Sequence, residues 1–102
     1  MIIYSVTLNV DNEIHDTWLQ WMKNTHIPDV MNTGFFESHK MCRIISHLKE
    51  NEGTTYNIQY RCKSMADLHQ YQSKHAPQLQ KEHQDLYQDK VVAFRTLLEE
   101  VE

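Results

Sequence analysis

The apolar residues of this chain switch between two spacings, and the order of the switches restricts the fold. Residues 1–10 alternate strictly, with Tyr4, Val6 and Leu8 on one side of the chain, as in a strand with one buried face. The segments 36–48, 56–62 and 91–98 also read as strands. The segments 11–35 and 63–90 carry apolar residues three and four positions apart, as amphipathic helices do. The sequence therefore predicts the element order βαββαβ.

The first predicted helix starts at a cap formed by Asp11 or Asn12. Its apolar positions recur at helical spacing, at Ile14, Trp18, Trp21, Met22 and Thr25. Pro28 has no N–H and its ring crowds the preceding turn, so the helix is expected to bend or break near His26. A short further segment should then end at Gly34.

The second predicted helix starts at Ser64, within a capping-box sequence, and is interrupted at Pro77. The histidine two residues before this proline, His75, repeats the placing of His26 before Pro28, and both sites share the pattern His-x-Pro-x-aliphatic. Such an internal repeat agrees with the duplicated topology of an α+β, ferredoxin-like fold. That fold has a four-stranded antiparallel sheet in the order 4-1-3-2, with both helices on one face.

Composition narrows the class of protein further. Gly and Pro account for only four of the 102 residues, too few for a collagen-like chain, a low-complexity chain or a sandwich with many turns. We expect one domain spanning residues 1–102. The formal net charge of -4 disfavours nucleic acid and anionic membranes as partners. With no signal-peptide pattern, only short apolar runs and two cysteines, a cytoplasmic protein without a membrane span is expected.

Strand parity divides the predicted sheet between a face that the helices cover and a face that they leave bare. The covered face is expected to carry Tyr4, Val6, Leu8, Ile44, Ile58, Tyr60, Phe94 and Leu98. The bare face is expected to include Ile3, Ser5, Met41, Arg43, Ile45, Arg61, Arg95 and Leu97. Because this face is too apolar to remain in water, we predict a homodimer in which two such sheets pack into an α+β barrel. Its arginines would pair with the partner's acidic tail or bind an anion inside the dimer.

The two cysteines are expected to face each other. Matching the alternations of the second and third strands sets Ile44 opposite Tyr60 and Cys42 opposite Cys62, although a two-residue slip would separate the thiols. Two reduced, buried thiols are favoured over a redox pair.

Several motifs carry a resemblance to a known family. They are Trp18-Leu19-Gln20-Trp21-Met22, His26-Ile27-Pro28-Asp29-Val30-Met31, Gly34-Phe35, Cys42-Arg43, Tyr71-Gln72, His75-Ala76-Pro77 and Phe94-Arg95-Thr96-Leu97-Leu98. Over essentially its whole length the chain resembles a small bacterial family, domain of unknown function 4286, which is related to the dimeric α+β barrels. That superfamily includes EthD-like proteins, antibiotic-biosynthesis monooxygenases, muconolactone isomerases and haem-degrading monooxygenases. The resemblance implies the fold and dimerisation and assigns no reaction.

The candidate ligand-binding residues are a set of histidines and aromatic residues beside the predicted core: His26, His75, Tyr4, Trp18, Trp21, Tyr60 and Tyr71. They could line a pocket between helices and sheet. The alternative is that the aromatic residues are plain core and that His26 and His75 satisfy backbone groups freed by the prolines. The haem-degrading relatives place a tryptophan on the second helix, whereas both tryptophans here lie on the first, so that chemistry is not carried over.

Other chemistries find little support. There is no HxxxH, HExxH or CxxC spacing for a metal, and both glycines are needed as turns, so no nucleotide loop and no cofactor are predicted. His15, His39, His69 and His83 are expected to be solvated. An RNA-recognition module would need aromatic residues on the bare face, but Tyr4, Tyr56 and Tyr60 are expected on the covered one.

The sequence predicts a homodimer that binds a small, largely apolar molecule or serves as an assembly unit. The enzyme alternative is a cofactor-independent monooxygenase or isomerase acting on a small aromatic substrate, in which His26 or His75 moves a proton.

Overall fold

The computed structural model describes residues 1–46 and 52–102. Its strands and helices are β1 (Ile2–Val10), α1 (His15–Trp21), α2 (Ile27–Asn32), β2 (Ser38–Arg43), β3 (Thr54–Cys62), α3 (Met65–Lys74), α4 (Ala76–Tyr87) and β4 (Val91–Glu99). The strands form an antiparallel sheet in the order β2-β3-β1-β4. The predicted α+β, ferredoxin-like fold is confirmed. None of the described helices is both long and apolar enough to cross a bilayer.

Both helical segments are interrupted near the prolines at which the sequence predicts a break. A π-helical turn, Met22–His26, separates α1 from α2, and Pro28 occupies the first turn of α2, where its missing N–H costs nothing. A wider π turn displaces the side chains that follow it, and such turns are frequent at functional sites. The interruption therefore sets the position of His26 relative to the sheet.

The second helical segment begins and breaks as the sequence indicates. The Ser64 side chain accepts a hydrogen bond from the backbone N–H of Asp67 at 3.1 Å, so the predicted cap is confirmed. The helix breaks at His75, which has φ -122°, and Pro77 lies in the first turn of α4. The break divides this segment into α3 and α4.

The core lies between the helices and one face of the sheet. Tyr4, Leu8, Ile58 and Tyr60 are buried there as predicted. The largest fully buried side chains are Trp18, Met22, Ile58, Leu68, Val10, Val30 and Cys62. The first helical segment contributes both Trp18 and Met22, which are 0% and 1% exposed, so its tryptophan face is the anchor of the helical layer.

The predicted parity of β4 is wrong. Tyr4 is paired with Leu97 and Val6 with Arg95, and paired residues share a face. Arg95 and Leu97 therefore lie on the helix-covered side, whereas Phe94 and Leu98 lie on the bare side. Apolar residues occupy both faces of this strand, so hydrophobicity alone could not distinguish them.

The predicted parity of β2 is also wrong. Met41 is paired with Ile58 and Arg43 with Tyr56, which places both on the helix-covered side. The strand ends at Arg43, so Ile45, 69% exposed, lies beyond the sheet. The predicted end of this strand at Leu48 and the first half of the loop 49–54 fall within residues 47–51, outside the described residues.

The shift in register also separates the cysteines. Cys42 is paired with Asn57, and Cys62 with Ile2, so the prediction that the two cysteines face each other is wrong. Cys42 is exposed and Cys62 is buried, and both are free thiols. The Cys62 thiol donates a weak hydrogen bond to the Ser64 carbonyl oxygen, with an Sγ···O distance of 3.4 Å.

The bare face of the sheet combines a polar middle with an apolar β4. Ile3, Ser5 and Arg61 lie on it as predicted. The Asn57 amide donates to Ser5 Oγ at 2.8 Å and to Thr7 Oγ1 at 3.1 Å. Along β4, Val92, Phe94 and Leu98 are 65%, 61% and 40% exposed. Arg61 pairs with Glu100 of its own chain, Nε to Oε1 at 2.8 Å.

Candidate ligand cavity

A cavity of about 460 Å³ lies between the helices and the β1 and β4 side of the sheet. The sheet lines it with Tyr4, Val6, Leu8, Ile58, Tyr60, Val91, Ala93 and Arg95. The helical layer lines it with Met22, His26, Val30, Tyr71, Pro77, Leu79, Gln80, Lys81, His83 and Gln84. The inward residues at the start of β4 are Val91 and Ala93, whose small side chains leave this volume unfilled.

His26, at the end of the π-helical turn, contributes a buried polar atom without a partner. Its Nδ1 is buried and makes no hydrogen bond. Its ring centroid lies 5.1 Å from that of Trp21 and 5.8 Å from that of His83. Burial, followed by the charges of His83 and Arg95, lowers the pKa of His26 to about 4. The ring is therefore neutral at physiological pH.

His83, on α4, is fixed in one tautomer by a buried tryptophan. Trp18 donates its indole N–H to His83 Nε2 at 3.0 Å, so the neutral ring carries its proton on Nδ1. Burial first, and then the charge of Arg95, lower the pKa of His83 below its ordinary value of 6.5. The cavity therefore contains two neutral imidazoles side by side.

Arg95, on β4, provides a positive charge at the cavity. Its Nε–H donates to the hydroxyl oxygen of Tyr4 at 3.0 Å. The hydroxyl accepts this bond and keeps its own hydrogen available for donation. Because Arg95 lies opposite Val6 in the sheet, its side chain reaches the same face as the core residues of β1.

Three tyrosines form an aromatic wall of the cavity. The ring centroid of Tyr4 lies 6.2 Å from that of Tyr60 and 5.8 Å from that of Tyr71. Burial is the main cause that raises the pKa of Tyr60 and of Tyr71. Both hydroxyls therefore remain protonated at neutral pH, and the wall is uncharged.

The cavity includes only part of the predicted ligand-binding set. Tyr4, His26, Tyr60 and Tyr71 line it. Trp18 is fully buried, and Trp21 packs against the outer side of His26 and His83, so neither tryptophan lines it. His75 packs against Phe35 instead, at 5.7 Å between ring centroids. The symmetry suggested by the two His-x-Pro motifs therefore does not extend to the cavity.

Two cavity residues, His83 and Arg95, were not predicted there. His83 was expected to be solvated, although Leu79, His83 and Tyr87 follow one another at four-residue spacing on α4, the spacing of a single helix face. Arg95 was assigned to the bare face because the parity of β4 was reversed. Only the register with β1 reveals its position.

The remaining histidines differ in their surroundings. His15 was also expected to be solvated, but its Nε2 lies 2.7 Å from the Tyr56 hydroxyl and its Nδ1 lies 2.9 Å from Asp16 Oδ1. His39 and His69 are exposed as expected. Within residues 1–46 and 52–102, no three His, Cys, Asp or Glu side chains converge to hold a metal ion.

The fold has many counterparts among solved structures. An ethyl tert-butyl ether D (EthD) family protein from Bacillus halodurans is 16% identical with a TM-score of 0.69, over 99% of this chain and 100% of that one. A dimeric ferredoxin-like protein from an uncultured marine organism is 10% identical with a TM-score of 0.63, over 99% and 95%. SnoaB, a cofactor-independent oxygenase from Streptomyces nogalater, is 8% identical with a TM-score of 0.67, over 99% and 93%.

The sequence itself identifies the family. No curated protein shows significant similarity to this chain. A family model described as Domain of unknown function (DUF4286) matches residues 1–101, in agreement with the resemblance carried by the tryptophan, His-x-Pro and β4 motifs. The chain therefore belongs to the DUF4286 family.

Proposed function

We propose that this protein is a homodimer that binds a small, largely apolar molecule in the cavity of each subunit. The observation that carries the proposal is a cavity of about 460 Å³ whose lining includes His26, a residue with a buried and unpartnered Nδ1. A buried polar atom without a partner costs free energy. A ligand that forms a hydrogen bond with this nitrogen removes that cost while it covers apolar lining.

An assembly role without a ligand has less support. It would be favoured if the tryptophans of the first helix filled the cavity. Trp18 and Trp21 pack elsewhere, and the cavity stays open beside Val91 and Ala93. The lining combines apolar and aromatic side chains with converging polar groups, a combination found in small-molecule sites.

The dimer would form through the bare face of the sheet. Val92, Phe94 and Leu98 of β4 expose apolar surface there, which a second copy would remove from water. One of the structures with the same fold is described as a dimeric ferredoxin-like protein, which supports this arrangement. The cavity lies on the opposite face of the sheet, so dimerisation and ligand binding use different surfaces.

The proposal is tested on protein purified under native conditions without a tag. Native mass spectrometry should show a dimer that carries up to two copies of a small molecule, released on denaturation. A monomeric chain, or a dimer that neither retains nor binds any small molecule, would contradict it.

A second candidate function is a cofactor-independent isomerase or monooxygenase acting on a small aromatic substrate. It is favoured by the His26 ring, which lines the cavity, is neutral at physiological pH and can accept a proton. SnoaB, which shares the fold, is described as a cofactor-independent oxygenase. His26→Ala should abolish conversion of the retained molecule, whereas His75→Ala should not, because His75 lies outside the cavity. Recovery of the molecule unchanged after incubation in air would reject this candidate.

A further inference from the structure

The cavity has a positive charge that its own walls do not neutralise. Arg95 and Lys81 line it, and none of the described lining residues is Asp or Glu. Lys81 is bridged to Asp85 on the exposed surface of α4, with Nζ 2.6 Å from Oδ2. Among the described residues, no carboxylate lies within ion-pair distance of Arg95. Arg95 is therefore the cation without a counterion at this site.

The cavity also contains hydrogen-bond donors besides Arg95. The Arg95 Nε–H is used by Tyr4, which leaves the Nη groups of the planar guanidinium for a further acceptor. The Tyr4 hydroxyl hydrogen and the His83 Nδ1–H, set by the Trp18 bond to Nε2, add two donors. His26 and His83 line the same cavity as Arg95, and the charge of Arg95 lowers the pKa of both. Such a set of donors is complementary to the two oxygens of a carboxylate.

The remaining walls accept a flat apolar group. Tyr60 and Tyr71 present aromatic surface, and Leu8, Leu79 and Val91 present aliphatic surface. Aromatic rings stack against such walls with offset or edge-on geometry. We propose, building on the proposed function, that the ligand is an aromatic carboxylate whose oxygens bind Arg95 and whose ring packs between Tyr60 and Tyr71.

A neutral or a cationic ligand would bind less favourably at this site than an anion. A neutral molecule that covers Arg95 would remove water from the guanidinium without replacing it by a counter-charge, which costs free energy. A cation would be repelled by the same group. A monoanion is the charge state that both fills the cavity and balances Arg95.

The test compares acids with their neutral amides. Benzoate, 2-naphthoate and anthracene-2-carboxylate are titrated into the wild-type dimer by calorimetry, and each is compared with the corresponding carboxamide. We expect the best-fitting acid to bind about 10-fold or more tightly than its amide, because a charge-assisted pair is lost in the amide. Arg95→Gln should abolish this preference by weakening the binding of the acid. Arg43→Gln, which removes an arginine outside the cavity, should leave the preference intact.

The outcomes separate this inference from the proposed function. Equal affinity for acid and amide, or a preference for the acid that survives in Arg95→Gln, would overturn the carboxylate proposal while small-molecule binding stands. Failure of all six probes to bind at millimolar concentration would overturn both. As a second readout, 2-naphthoate but not its amide should raise the pKa of His26 in NMR titrations, because a nearby anion favours the imidazolium.

Discussion

Trp18, fully buried on the first helix, donates its indole N–H to Nε2 of His83 on the last helix at 3.0 Å. This bond joins the anchor of the helical layer to the wall of the cavity. It also determines which nitrogen of His83 carries the proton. The core and the candidate site are therefore coupled through one side-chain pair.

Trp18→Phe tests this coupling. The variant leaves His83 Nε2 without its donor, so we expect a loss of about 1 to 3 kcal/mol in the free energy of unfolding. Because the indole bond favours the neutral ring, the pKa of His83 should rise toward its ordinary value in NMR titrations. Trp21→Phe is the matched control, since it leaves the bond intact. A pKa of His83 that is equal in the two variants would contradict the assigned tautomer.

His26 predicts a specific loss of stability in acid. Its pKa is about 4 in the folded protein against an ordinary value of 6.5, so the unfolded chain takes up a proton first as the pH falls. The native state should therefore lose on the order of 3 kcal/mol between pH 7 and pH 4 from this residue. His83 and Arg95 face the ring, together with uncharged Trp21. Urea denaturation of wild type and His26→Gln across this range measures the difference, and parallel pH profiles would refute it.

Replacing each of the two glycines by alanine should cost a different amount of stability. Both have positive φ, 84° at Gly34 and 85° at Gly53. A Cβ at Gly53 would lie 2.5 Å from the carbonyl oxygen of Val10, whereas a Cβ at Gly34 has no neighbour within 4 Å. Gly34→Ala should cost about 1 kcal/mol from the backbone conformation alone, and Gly53→Ala clearly more. Equal losses in thermal or urea denaturation would mean that the strand end at Val10 yields to the added methyl group.

The bare face of the sheet predicts the oligomeric state. Phe94→Asp should convert the dimer to a monomer at micromolar concentration, because a charge would be buried between two apolar surfaces. Leu86→Asp is the control, since Leu86 is 55% exposed on α4 and away from this face. Light scattering coupled to size exclusion distinguishes the two. A dimer that survives Phe94→Asp would place the interface elsewhere.

The fold was predictable because each signal for it is local. Alternation, the Ser64 cap and the two proline interruptions depend only on neighbouring residues, and the sequence contains them. The face of an edge strand depends on register with a distant strand. Phe94 and Leu98 are larger than Val91 and Ala93, so assigning the larger side chains to the core reversed β4.

The candidate site was predictable only in part, because some of its residues are placed by register and packing between distant segments. Tyr4 and Tyr60 follow from the parity of β1 and β3, which is unambiguous. The face on which Arg95 lies depends on the parity of β4, which the sequence pattern predicts incorrectly. The position of His83 depends on which face of α4 turns inward, and that face is determined by packing against distant elements. The cavity exists because the smaller β4 residues face the helices, and that arrangement is determined by tertiary packing.

Filling the cavity tests the central claim most directly. Ala93 lines the cavity, and Ala66 is exposed on α3, so Ala93→Phe and Ala66→Phe add the same side chain in different places. Calorimetric titration with the tightest-binding aromatic acid should show at least about a 10-fold loss of affinity in Ala93→Phe and none in Ala66→Phe, with both variants folded. Undiminished binding by folded Ala93→Phe would show that the ligand binds somewhere other than this cavity.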